Sequence, residues 1–192
     1  MKKKIILASA SPRRIEMLEK HGFDIAVRPS KIEEVVDQSL EMGEIVKSLA
    51  YQKAEAVLNE IKTNEPQLLK EYDLLIAADT IVYKDEIMGK PHSKDHGMSM
   101  LMKLKNTSHY VATGVAVYHI EKMQWDIFFD TTEVFFTDYS QEEISSYLDT
   151  DEAYDKAGGY AIQGTFGKYI DHYTGSYNNV VGFPIEMILE RI

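Results

Sequence analysis

The chain has no cysteine among its 192 residues, only one tryptophan and only five prolines. Without thiols there is no disulfide framework, no thiolate metal site and no cysteine nucleophile. No apolar run approaches the roughly 18 residues that a membrane-crossing helix needs. Positive charge is in deficit: 21 Lys and Arg against 31 Asp and Glu leave a net charge of −10. Such a surface repels the phosphates of a long nucleic acid, so no nucleic-acid partner is expected. The six histidines (His21, His92, His96, His109, His119 and His172) show no metal-binding spacing, and neither HExxH nor GxSxG occurs. His92 and His96 stand four apart, but Ser93 between them reads as a helix start.

What is present points to a globular fold. Hydrophobic residues make up 44%, and 12 Tyr and 7 Phe disfavour disorder. No repeat, linker or low-complexity segment interrupts residues 1–192, which read as a single domain or as two lobes sharing one cleft. The opening Met1-Lys-Lys-Lys-Ile-Ile-Leu has the charge of a signal peptide, but its apolar run ends at Ala8. A cytoplasmic location with no membrane contact is therefore expected. Lys2 to Lys4 read as solvated lysines ahead of a strand.

Along the chain, Ile5 to Ala8 form a short buried-strand run. Ser11-Pro12 gives a hydroxyl N-cap followed by proline at the first helical position. Phe23–Val27 predicts a second strand, and Ser30–Gln38 an acidic loop. Glu44–Ile61 has helical spacing and ends at Asn64-Glu-Pro66. Leu74–Ala78 predicts a strand closed by Asp79-Thr80, with Ile81–Tyr83 extended beyond. Ser93–Lys105 predicts a helix, Tyr110–Ile120 and Trp125–Thr137 two strands, and Ser140-Gln-Glu-Glu143 a capping box. Residues 155–182 read as a structured, glycine-rich loop with one strand near Tyr169-Ile170, and Pro184 starts a last helix. Early alternation of helix and strand followed by a β-rich block favours an α/β fold with a mixed sheet.

Several residues suit chemistry on a polyphosphate. The loop Ser9-Ala-Ser-Pro-Arg-Arg14 combines a helix N-terminus, two hydroxyls and two guanidiniums, which suits an anion; a capping serine with solvated arginines fits equally. It lacks the glycine spacing of a Walker loop. Asp79 at a strand end suits a general base or metal ligand, and also an ordinary turn. Lys90 between Gly89 and Pro91 is held on a stiff turn that a phosphate could meet. Lys53 lies on an amphipathic helix and Glu33-Glu34 in an acidic loop; a solvated surface accounts for these as well. The Glu33-Glu34 oxygens suit Mg²⁺ or Mn²⁺. Gln163, before Gly164, has an amide able to read a base edge.

Taken together, Leu7-Ala-Ser-Ala-Ser-Pro-Arg-Arg14, Ala78-Asp-Thr-Ile-Val82, Gly89-Lys-Pro91, Thr113-Gly-Val-Ala-Val117, Asp155-Lys-Ala-Gly-Gly-Tyr-Ala-Ile-Gln-Gly164 and Gly175-Ser-Tyr-Asn-Asn-Val-Val-Gly-Phe-Pro184 occur in an order that resembles the Maf family. The resemblance implies a curved mixed sheet flanked by helices, with two lobes around a deep cleft, the Maf/ITPase-like fold. It implies a nucleoside triphosphate pyrophosphatase that releases a monophosphate and pyrophosphate, uses a divalent metal (Mg²⁺ or Mn²⁺) and forms dimers. By motif, Asp79 matches the family's proton acceptor. Ser9, Arg13, Arg14, Lys53 and Lys90 match triphosphate-binding positions. Glu34, or Glu33 after a one-residue slip, matches a metal-associated acid alongside Asp79. Arg13, Thr80 and Gln163 match positions tied to base preference. Tyr160-Ala-Ile-Gln-Gly164 resembles the subgroup acting on dTTP and UTP; the subgroup acting on 7-methyl-GTP has Glu in place of that Gln. The family's name also implies a different role, a nucleotide-binding regulator of septum formation with little catalysis.

Overall fold

The computed structural model describes residues 3–192; Met1 and Lys2, part of the lysine run, lie outside the described residues. The elements follow the order β1 (Lys4–Leu7), α1 (Pro12–Lys20), β2 (Asp24–Val27), α2 (Met42–Asn64), β3 (Leu74–Lys84), β4 (Glu86–Met88), α3 (Lys94–Leu104), β5 (Ser108–His119), β6 (Gln124–Phe136), α4 (Gln141–Leu148), β7 (Ile170–Thr174), α5 (Tyr177–Val181) and α6 (Ile185–Leu189). The strands make a mixed sheet in the order β2-β1-β3-β5-β6-β7, with β4 beside β3. β1 is parallel to both neighbours, Ile6 lying opposite Ala26 on one side and Leu75 on the other. β4 and β7 run antiparallel to β3 and β6. Among the described residues, no helix is long and apolar enough to cross a membrane.

The chain divides into two compact units, Met1–Asp79 with Thr113–Asp130 and Gly182–Ile192, and Thr80–Ala112 with Thr131–Val181. In the first unit, strand alternation sorts the side chains onto two faces. Ile5, Leu7, Leu74, Ile76, Ala78, Val115 and Val117 gather with Leu18 of α1 and Ile185 and Ile188 of α6. Ile6, Leu75, Ala77, Ala116 and Tyr118 gather on the other face with Ala50, Ala54, Val57, Leu58 and Ile61 of α2. Helices on both faces explain why Ile5–Leu7 of β1 and Leu74–Ala78 of β3 are apolar at every position rather than at every second one. Each fully buried Leu or Ile contributes about 1.5–3 kcal/mol relative to exposure, so this two-sided core holds the unit.

One expected boundary is wrong. β3 does not close at Ala78 but continues through Asp79 and Thr80 to Lys84. The polar pair reads as a stop, yet Thr80-Ile-Val-Tyr83 is rich in residues that favour strands, and a partner on α2 balances the Asp79 charge. Asp79 has odd parity, like Leu75 and Ala77, which places it on the α2 face; Thr80 turns to the opposite face.

The second unit is built around aromatics. Phe136, Tyr139, Tyr147, Tyr160 and Phe166 pack with Leu101, Leu104, Ile144 and Leu148, and the Tyr139 hydroxyl donates to the Leu101 carbonyl at 2.7 Å. The capping box at Ser140 and Glu143 forms as expected. α5 was not expected from the sequence, because five residues are too few to set a helical period. His109 is 1% exposed; its Nε2 lies 2.5 Å from the Tyr160 hydroxyl and its ring stacks on Phe136. Burial, with Lys84 adding a smaller push, holds its pKa down to about 3. In the unfolded chain this imidazole takes a proton near pH 6.5, while in the fold it resists until about 3. Acidification through that window therefore favours unfolding, by about 3 kcal/mol at pH 4.5. Urea midpoints at pH 7 and pH 4.5 should show that much less acid sensitivity in His109→Gln; equal sensitivity would assign the acid loss elsewhere.

Candidate active site

The site grows from the strand–loop–helix at the start of the chain. Pro12 opens α1 and Ser11 occupies the N-cap position, but its hydroxyl makes no capping bond, contrary to expectation. The serine that ties the loop is Ser9. Its Oγ accepts the Ser11 N–H at 3.2 Å and Arg14 Nη1 at 3.2 Å. Arg14 also donates from Nη1 to the Ala78 carbonyl at 2.6 Å and from Nε to the Gly182 carbonyl at 2.9 Å. One guanidinium thus joins the loop, the middle of β3 and the chain entering α6. Burial lowers its pKa to about 10, with Asp79 opposing, so it stays a cation at neutral pH. The arginine expected to be a phosphate ligand is in large part a fastener; Arg13, one helical position earlier, is half-buried.

The α2 face of β3 carries the charged centre. Lys53 Nζ pairs with Asp79 Oδ1 and, at 2.9 Å, with Glu34 Oε1. α2 brings Lys53 there because Ala50 and Ala54 seat the helix closely on Leu75 and Ala77. The side chains of Asp79 and Lys53 are 14% and 18% exposed, that of Glu34 35%. Burial pushes the Asp79 carboxyl above its ordinary pKa; Lys53 and Arg14 pull against that, while Glu34 adds to it. A carboxylate made more basic while held beside two cations is suited to accepting a proton in a polar site.

The sequence left Glu33 and Glu34 as alternatives. The ion pair is made by Glu34, and Glu33 is exposed, with no ion pair among the described residues. Ser9, Arg14, Glu34, Lys53 and Asp79 are therefore brought together within the first unit. Thr80, Lys90 and Gln163 belong to the second. Lys90 is exposed on its turn. Gln163 is exposed on a segment fixed by Glu152, which accepts from the Thr165 N–H and hydroxyl, both at 2.9 Å. Gly164 permits that contact, since a Cβ there would stand 1.9 Å from Glu152 Oε1. Gln52, whose amide grips the Glu34 loop, had no signal in the sequence beyond its place next to Lys53.

Two hard carboxylates facing one cation form a donor set that fits Mg²⁺ or Mn²⁺, ions that retain waters and take phosphate oxygens alongside one or two carboxylates. Among the described residues no cluster of three or more His, Asp or Glu forms a fuller cage.

Several proteins similar in sequence to this chain carry one name. A "dTTP/UTP pyrophosphatase" of Alkaliphilus oremlandii is 42% identical over 183 residues, covering 95% of this chain and 91% of that one. Proteins of the same name from Caldicellulosiruptor bescii and Bacillus anthracis are each 39% identical, covering 95% and 99% of this chain and 90% and 94% of theirs. The Staphylococcus aureus Ham1 protein gives a TM-score of 0.48 at 16% identity over 88% of this chain and 80% of that one, too low to add to the reading. The model described as Maf-like protein matches residues 4–192, and the chain belongs to that family.

Proposed function

We propose that this protein hydrolyses nucleoside triphosphates, dTTP and UTP foremost, between the α and β phosphates. The observation that carries the reading is the convergence of Asp79 and Glu34 on Lys53, with half-buried Arg14 alongside. In the proposed step, Asp79 takes a proton from water as the water oxygen bonds to the α-phosphorus. The α–β bridging bond breaks, and its electrons leave with pyrophosphate. Lys53, Arg13 and Arg14 offset the negative charge that develops on that leaving group, and Ser9 orients it. Bound Mg²⁺ or Mn²⁺, held by Glu34 and Asp79, would supply Lewis-acid polarisation of the phosphates. Roles for Lys90 on phosphate and for Thr80 and Gln163 on the base rest on motif resemblance. The same proposal includes a homodimer in the cytoplasm; sedimentation at micromolar concentration would show a single subunit if the dimer is wrong.

A panel of the common ribo- and deoxyribonucleoside triphosphates with Mn²⁺ and a pyrophosphate readout tests the reaction. The expected result is preferential release of pyrophosphate and monophosphate from dTTP and UTP. Nucleotide binding without turnover would overturn it and favour the regulatory role. Gln163→Glu adds a charge and removes an amide donor, so kcat/KM for dTTP and UTP should fall about 10- to 100-fold, the usual scale for one lost polar contact to substrate. Unchanged kinetics with both pyrimidine nucleotides would take Gln163 out of base selection.

A further inference from the structure

The loop that delivers Glu34 contains no buried residue. Every residue from Lys31 to Leu40 is exposed, Val35 to 72%. With no buried side chain to anchor it, the loop depends on polar ties. Gln52, on α2 one residue before Lys53, makes two of them to a single backbone residue. Its Oε1 accepts the Val35 N–H at 3.0 Å, and its Nε2 donates to the Val35 carbonyl at 3.0 Å. The second amide hydrogen is directed to Ser48 Oγ, one helical turn back, at 3.1 Å. The carboxamide thus pairs with Val35 as a neighbouring strand would, and Ser48 holds its plane. A carboxamide accepts and donates from adjacent atoms while staying neutral at pH 7, and Asn is one methylene shorter. Val35 follows Glu34 directly, with consecutive Cα atoms about 3.8 Å apart. The grip on Val35 therefore sets the point from which Glu34 reaches Lys53.

We propose that Gln52 is a positioning residue for Glu34: it clamps the backbone of a loop that has no buried residue and so holds the carboxylate at the charged centre. Glu34 serves as the metal-associated carboxylate in the function proposed above, and the clamp rests on that reading. A residue that only stabilised the fold would be tied to buried structure. This one is tied to a segment with no buried residue, so its loss should free the loop without melting the unit.

The test uses the full chain as wild type, Gln52→Ala, the bulkier Gln52→Leu, Glu34→Ala and the Glu34→Ala/Gln52→Ala double variant. Trypsin cleavage after Lys31, measured without metal, reports loop freedom. The Mn²⁺ concentration giving half-maximal turnover reports how well Glu34 is held. Both Gln52 variants should be cut about 10-fold faster after Lys31 and need about 10-fold more Mn²⁺, the scale expected for two lost hydrogen bonds partly replaced by water. Melting should stay within about 2 °C, and kcat at saturating Mn²⁺ within about threefold, as for a surface change. In the Glu34→Ala background, the Mn²⁺ effect of Gln52→Ala should vanish. Unchanged cleavage, or unchanged Mn²⁺ dependence alongside a weakened Glu34→Ala, would overturn the clamp. A Glu34→Ala protein with wild-type Mn²⁺ dependence would instead overturn the role of Glu34 itself.

Discussion

Asp79→Asn should lower kcat roughly 10²- to 10⁴-fold while leaving the fold intact. Asparagine matches aspartate in shape but cannot take the proton that the attacking water must lose. It also leaves Lys53 paired with Glu34 alone. The cost to stability should be small. Burial already works against the Asp79 charge, so a neutral isostere removes a desolvation penalty along with the ion pair that offsets it. The loss should therefore appear in kcat rather than in the melting temperature. KM should shift less than kcat, because the cations proposed to meet the triphosphate, Arg13, Arg14 and Lys53, remain. Pyrophosphate release under saturating dTTP and Mn²⁺ gives the measurement, with circular dichroism confirming the fold. A folded Asp79→Asn protein turning over within threefold of wild type would sink the general-base role.

The sequence made the apolar elements legible because burial leaves a period. Leu74–Ala78, the α2 positions from Ile45 to Ile61 and the capping box at Ser140 all lie where spacing and cap chemistry put them. What it hid were arrangements without a period. The run of β3 past Asp79 depends on a charge partner 26 positions away on α2. The work of Ser9 and Arg14 as a fastener depends on Ala78 and on Gly182, and no local spacing signals either. The choice between Glu33 and Glu34 was open because neighbouring residues in an exposed loop differ only in which one a distant lysine meets. Resemblance to the family supplied candidate residues. It did not supply the division of labour between a guanidinium that holds the loop and an ammonium that holds two carboxylates.

Gly114→Ala should be among the most destabilising single-methyl additions in the chain. In β5, Gly114 shares the face of Ala116 and Tyr118, the face that α2 covers. A Cβ at this position would lie 2.0 Å from the Val46 carbonyl oxygen, 2.2 Å from the Val46 carbonyl carbon and 2.7 Å from the Lys47 nitrogen. These are backbone atoms of α2, so no rotamer change relieves the overlap; the helix must lift or the strand must bend. Overpacking of this kind costs about 3 kcal/mol, which in a chain of this size lowers the melting temperature by about 6–12 °C. Gly89→Ala is the matching control: nothing lies within 4 Å of its added Cβ, and its stability should stay within about 0.5 kcal/mol of wild type. The same displacement should reach the chemistry. α2 carries Gln52 and Lys53, and a helix pushed off β5 draws Lys53 away from Asp79. Turnover should therefore fall more, at a temperature where Gly114→Ala is still folded, than the folded fraction accounts for. A variant melting within 2 °C of wild type would mean that α2 does not sit this close to β5. One that melts low but turns over in proportion to its folded fraction would mean that the seat of α2 and the placement of Lys53 are independent.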